Sequence, residues 1–570
     1  MPLFEMAPKF INFPTMSSLY RVSAVDGLFI ALAVWLLSEL ISRLRRDRRL
    51  APLKGPPRKS LIFGVLRYVN QAQDPGAVYE EWATKYGSVY QIPTVLGSKR
   101  VVLTDPKAVA HFYAKETVTY IQTGISKTLI KRTVRQGSNH KRQRKALTPA
   151  FSNIAIRRLT SVFYDSTYKL KTIWDSMIES NPDGKLIDVQ TWMNRISLDS
   201  IGIAGFSHDF DSLSGQVSTV SDLFDTFAGL KPPPETFLSR IFAPIGLILW
   251  LLGTIFPPIL HVPTKESKMW QRIRSDTFEI AEILLEKTRK EKELGLVDKE
   301  GDKSVIGLLI KAEDPTSPLR LSKEEISAQD TKPHLFILLP NRPIVVSLTW
   351  ALIELCIQPH IQDKLRAELS RTVTDPTWDQ LNTTTHFPYL DAVVHETLRM
   401  HPPLTETTRT ANTDDVMPLS SPLQPSDNSS KSFVVGETTG IAIPKGTVIT
   451  VPIRCINRSE ALWGPNAKQF RPERWIEGEE GASGIPEAAK GVSGHRHLLT
   501  FSDGPRICLG KGFALAEFKA VLSVLIRNYT FEFPDGKDII PKIEMHRSIL
   551  RRPKIEGQKG ARVPLRVRRV

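Results

Sequence analysis

The sequence of 570 residues predicts a mainly α-helical fold with a minor β-sheet, behind an N-terminal membrane anchor. Three observations carry this reading. Apolar residues recur with helical spacing over long stretches of the body, strand-like runs are few and short, and one apolar run lies near the N-terminus.

Helical periodicity is clear over residues 75–86, 159–180, 269–293, 345–373 and 511–527. The strand-like runs are Val89–Pro93, Lys99–Thr104 and Ile441–Val451. Polar stretches at 296–304, 413–432 and 476–496 read as surface insertions rather than domain boundaries. There is no internal repeat. The sequence holds neither a glycine-rich dinucleotide fingerprint after a strand nor a P-loop, so no nucleotide site is recognisable in it.

Residues 27–37, GLFIALAVWLL, hold no polar side chain, and Leu40 and Ile41 continue the run past Ser38 and Glu39. A span needs about 20 apolar residues. An anchor helix over about residues 22–41 meets that length, with Asp26 and Glu39 near its ends. A cleaved signal peptide and an interfacial or buried helix are the competing readings. The basic flank on the C-terminal side favours an anchor whose following residues stay cytosolic. The segmentation is therefore 1–42 with the anchor, a basic proline-rich linker at 43–59, a body at 60–550 and a basic tail at 551–570.

The net charge of +16 suggests nucleic acid at first sight. Its distribution argues against that partner. Residues 43–59 and 551–570 carry +7 each, which leaves +2 for the rest. A nucleic-acid binder carries its charge on a folded face. Three cysteines, Cys356, Cys455 and Cys508, are too few for a disulfide scaffold or a four-thiolate metal site.

The most informative stretch is Phe501-Ser-Asp-Gly504-Pro-Arg506-Ile-Cys508-Leu-Gly510, followed by the helical pattern KGFALAEFK. One cysteine sits on a glycine-punctuated loop just before a helix. Backbone N–H groups there favour a thiolate, and Gly504 and Gly510 let the chain turn tightly around it. A buried structural cysteine is the plain alternative. The segment resembles the F-x-x-G-x-R-x-C-x-G haem loop of the cytochrome P-450 family, with all five fixed positions matched. The resemblance implies a cytochrome P-450-like fold, haem b as cofactor and Cys508 as its proximal thiolate. It also implies Arg506 on a haem propionate and Phe501 beside the sulfur.

Two further motifs agree in chain order. Glu396 and Arg399 in HETLRMHPP are three apart and share a helix face. Arg474 in Phe470-Arg-Pro-Glu-Arg474-Trp475 resembles the arginine of the family's F-x-P-x-R segment, which joins that pair. These three are expected to fix the fold around the cysteine loop. His140-Lys-Arg-Gln-Arg144 resembles the family's W-x-x-x-R helix with His in place of Trp. Arg144, His140 and Arg409 are then further propionate candidates; a solvated basic helix face is the alternative for the first two.

One family feature is missing. The oxygen-activating acid and alcohol of A-G-x-[DE]-T should fall near Leu339–Ile344, which reads Leu-Pro-Asn-Arg-Pro-Ile. Pro340 and Pro343 also argue against a continuous helix there, although 321–330 resembles the start of that helix. Either an exon boundary is misplaced, or the protein is a true variant with altered oxygen chemistry.

The resemblance implies a microsomal-type monooxygenase, fungal in character, on the endoplasmic reticulum membrane. It would be single-pass with its catalytic domain in the cytosol, in contact with membrane lipid. It would take electrons from an NADPH-cytochrome reductase and oxidise an apolar small molecule such as a terpenoid, steroid or polycyclic aromatic. A haem-thiolate isomerase or dehydratase, or a degenerate haem-binding protein, are the alternatives.

Overall fold

The computed structural model describes residues 52–123, 138–215, 341–422, 438–478, 484–534, 536–546, 550–558 and 560–570, with short pieces between 30 and 50, between 283 and 308, and at 434–435. The chain divides into two units, residues 1–50 and 51–570. In the first, the described residues between 30 and 49 are helical, and Ile30, Val34, Leu37 and Leu44 are exposed. No single helix among the described residues is long and apolar enough to cross a membrane.

The second unit is mostly helical with small sheets. Its helices include α1 (Pro75–Tyr86), α2 (Pro106–Ala114), α3 (Ser138–Leu147), α4 (Asn153–Ile178), α5 (Val189–Phe206), α6 (Asn341–Ile357), α7 (Pro359–Leu369), α8 (Pro388–Met400), α9 (Ile453–Arg458) and α10 (Lys511–Asn528). Local chemistry sets several starts. Asp74 and Asp105 cap α1 and α2 by accepting from Gly76 N and Ala108 N, each with proline at the first helical position. The run expected at 345–373 is broken in two: Gln358 leaves the helical region before Pro359, and the chain turns by 112°. The helix expected at 269–293 lies largely outside the described residues.

The strands are β1 (Val89–Pro93), β2 (Lys99–Leu103), β3 (Tyr120–Gln122), β4 (Lys185–Asp188), β5 (Thr407–Ala411), β6 (Asp415–Pro418), β7 (Val434–Val435), β8 (Thr438–Ile443), β9 (Val448–Val451), β10 (Tyr529–Glu532), β11 (Ile543–Met545), β12 (Pro553–Ile555) and β13 (Pro564–Arg569). The main sheet has the order β1-β2-β9-β5-β3. The run read as one strand at Ile441–Val451 is two strands in different sheets. Pro444 and Gly446, the latter at φ 85°, turn the chain between β8 and β9.

Two expected boundaries are corrected. Residues 52–59 are not a free linker: Lys54 O accepts from Gln91 N at 2.9 Å, and Leu53 and Pro56 are buried. Residues 551–570 are not a tail. β13 is the middle strand between β10 and β4, with Leu565 and Val567 buried while its arginines alternate outward. Three of the eight basic residues in 551–570, Arg566, Arg568 and Arg569, are thus the polar side of a strand.

The large core gathers α4, α5, α6, α8 and α10. Phe163 of α4 meets Phe513 of α10 edge-on at 4.9 Å. A second core, with Tyr79, Trp82, Tyr90 and Val102, joins α1 to the main sheet. Within 331–345, residues 331–340 lie outside the described residues. α6 starts at Asn341, so Pro343 falls in its first turn, where a missing N–H removes no intrahelical bond. The 321–330 helix start also lies outside the described residues.

Candidate functional site

The cysteine loop is positioned by its own backbone and by a buried ion cluster. Cys508 N donates to Phe501 O at 2.8 Å, closing the loop. Gly504 has φ 63°, and a Cβ there would lie 2.4 Å from Tyr113 O, so only glycine lets the loop press against the last turn of α2. Gly510 differs from expectation: its φ is −84° and a Cβ would meet nothing closer than Phe151 at 3.7 Å. Its contribution is the N-cap of α10 and an N–H directed at Cys508.

The three cysteines are not equivalent. Cys356 and Cys455 are buried in the cores, where burial pushes their thiols far up. Cys508 is exposed to open space. Burial in the loop also leaves its thiol raised, while the Gly510 N–H and the charges of Arg144 and Lys511 work the other way. Among the described residues no group of three or more His, Cys, Asp or Glu is arranged as a metal site. Cys508 stands as a lone donor, which suits a single axial ligand and not a closed protein cage.

Glu396, Arg399 and Arg474 come together and are almost wholly buried, not a surface pair. Arg399 donates to both oxygens of Glu396 from Nε and Nη2, each at 2.9 Å, and Arg474 Nε donates to Oε1 at 3.0 Å. Burial alone would push Glu396 up; the two guanidiniums outweigh it and hold the carboxyl below its ordinary value. Two residues outside the expected triad complete it. Trp475 Nε1 donates to Glu396 Oε2 at 2.9 Å, and Arg399 Nη1 donates to Asn457 O at 2.9 Å. The Asn457 side chain then donates to Thr500 Oγ1 at 2.8 Å and accepts from Leu499 N, just ahead of Phe501. Thr500 Oγ1 in turn donates to Leu398 O at 2.7 Å. The cluster is thus tied to the cysteine loop. Trp475 was adjacent to a recognised motif, but nothing in the sequence signalled Asn457 or Thr500.

The propionate candidates fall on different elements. Arg144, on α3, donates to Ile507 O at 2.7 Å, one residue from the cysteine. His140 lies on the same helix. Arg409, on β5, is ion-paired with the fully buried Glu116 and donates to Thr408 O at 2.9 Å. Arg506 is half-buried next to the same carboxylate. The Nε atoms of Arg409 and Arg506 are buried with no hydrogen-bond partner among the described residues. Two orphaned guanidinium donors beside an open thiol fit a planar group that carries carboxylates at its edge, as haem does.

Comparison with known proteins agrees with this geometry. The cytochrome P-450 family model matches residues 54–418 and 430–556. The chain is 54% identical to cytochrome P-450 monooxygenase claP of Ampulloclitocybe clavipes, over 97% of this chain and all of that protein. It is 55% identical to cytochrome P-450 monooxygenase claQ of the same fungus, again over 97% and 100%. A more distant relative is cytochrome P-450 monooxygenase 205 of Postia placenta, at 30% identity over 95% of this chain and 96% of that one. A cysteine loop held by a buried ion cluster, with matches along nearly the whole chain, places this protein in the cytochrome P-450 family of haem-iron monooxygenases.

Proposed function

We propose that this monooxygenase holds haem b through Cys508 and inserts one oxygen atom into an apolar small molecule of the terpenoid, steroid or polycyclic aromatic class. The observation that carries the reading is the Cys508 thiol, open to space on a loop whose neighbours supply a backbone N–H, Arg144 and Lys511. Bound haem supplies the oxygen chemistry, and thiolate ligation favours O–O cleavage. The protein's own residues would do the holding. Gly510 N–H supports the sulfur, and Arg506, Arg409 and Arg144 would receive the propionates. The buried Glu396 cluster keeps the loop in register.

Electrons would come from an NADPH-dependent flavoprotein reductase, since no nucleotide motif is present in the sequence. The apolar run at 27–37 and the basic residues after it support a single-pass anchor in the endoplasmic reticulum membrane, with the catalytic unit in the cytosol.

Reduced protein under carbon monoxide should show the thiolate band that names the family. Cys508→Ala should abolish it, whereas Cys356→Ala and Cys455→Ala should keep it. Survival of the band in Cys508→Ala would overturn the ligand assignment.

A further inference from the structure

Glu116 has no part in the reading above, yet it is a fully buried carboxylate beside the cysteine loop. It lies in the turn after α2, and its N–H donates to Tyr113 O at 3.2 Å. That Tyr113 carbonyl is the one Gly504 presses against, so the turn and the cysteine loop are locked together. Two guanidiniums from separate parts of the chain face Glu116. Arg409 comes from β5, whose register sets it opposite Gln122 of β3, and Arg506 comes from the cysteine loop itself. Among the described residues, Asp503 and the Tyr113 hydroxyl also lie close enough to act on it.

A lone buried carboxylate costs several kcal/mol unless cations compensate it. Here burial still outweighs the two guanidiniums and holds the Glu116 carboxyl above its ordinary value, but their contact with it also fixes direction. Arg409 Nη2 is ion-paired with Glu116 and Nη1 donates to Thr408 O, so its planar fork is held from two sides. Among the described residues its Nε is left buried with no hydrogen-bond partner, as is the Nε of Arg506. Donors fixed before the ligand arrives bind more tightly than donors ordered by it.

We infer that Glu116 is a positioning residue: it orients Arg409 and Arg506 to receive the haem propionates. This rests on the haem-thiolate reading, and it concerns how firmly haem is held rather than which atom ligates iron.

The test uses the haem-loaded full chain and measures transfer of haem to apomyoglobin. Glu116→Gln should keep the carbon monoxide thiolate band but lose haem about tenfold faster, the equivalent of about 1.4 kcal/mol. With haem whose two propionates are esterified, wild type and Glu116→Gln should lose it at the same rate. Combining Glu116→Gln with Arg409→Gln should be no worse than Arg409→Gln alone, because the carboxylate acts through that arginine. Should Glu116→Gln not fold, Glu116→Asp keeps the charge on a shorter arm. It should lose native haem faster than wild type and esterified haem at the wild-type rate. Unchanged loss of native haem, or a difference that persists with the ester, overturns the role of Glu116. Absence of the thiolate band in the wild type would instead overturn the reading on which it rests.

Discussion

Glu396 accepts from two guanidiniums, an indole and the Arg471 N–H while fully buried. Removing its charge leaves two buried cations uncompensated, which costs about 3–5 kcal/mol. Glu396→Gln should therefore lower the urea midpoint by a corresponding amount and reduce haem content even though it lies outside the loop. An unchanged midpoint would mean the cluster is not structural. The Glu396–Arg399 pair was legible because helix geometry turns a spacing of three into a shared face. Arg474 was legible only through resemblance. Asn457 and Thr500 were not legible, because their bond exists only once α9 and the strand-free approach to the cysteine loop have been packed together. Glu116 escaped for the same reason: nothing near it in sequence marks it, and its partners lie far along the chain.

At the scale of elements, α10 carries a second buried carboxylate, Glu517, next to Ser197 and Ser200 of α5. Burial raises it from 4.5 to about 8. The folded chain thus holds this proton more tightly than the unfolded chain does. Its contribution to stability is complete below pH 4.5 and is lost as pH rises through about 8. Glu517→Gln should remove that slope: urea midpoints should match wild type near pH 5 and exceed it near pH 9. A variant less stable than wild type at pH 9 would show that the charged form is accommodated.

β13 gives a second test at this scale. Deleting residues 564–570 leaves β10 and β4 unpaired and exposes Val563, besides removing the buried Leu565 and Val567. At about 1.5–3 kcal/mol per buried aliphatic side chain, the loss should be several kcal/mol and visible as a lower melting temperature. A melting temperature within a degree or two of wild type would return this segment to the status of a tail. Its alternation of Leu and Val with Arg was present in the sequence, but charge counting hid it. Long periodic helices such as α1 and α10 were read within a residue or two. Breaks set by one or two residues, at Gln358-Pro359 and at Pro444 and Gly446, were not, since periodicity alone runs straight through them.

At the scale of the molecule, removing residues 1–50 should shift much of the protein to the soluble fraction on cell fractionation. A fully membrane-bound remainder would mean that the catalytic unit binds the bilayer by itself. Asn-x-Ser/Thr glycosylation motifs at Asn382 and Asn457 add a topological readout. Asn457 is buried and hydrogen-bonded in the folded unit, so the exposed Asn382 is the cleaner reporter. Asn382 is exposed, and it should remain unmodified in the full chain if the catalytic unit faces the cytosol. A sugar on Asn382 would reverse the proposed orientation.

The pairing of β13 with β4 also sets an order of events during synthesis. Val563 N donates to Asp188, whose place in the chain is 375 residues earlier. At about 5–20 residues per second, roughly 20–75 s separate the emergence of the two partners from the ribosome. Throughout that interval β4 lacks its neighbour. The apolar N-terminal run emerges before either of them. On the proposed topology, the nascent chain is therefore moored to the bilayer while its catalytic unit is still open, and closure happens at the membrane surface.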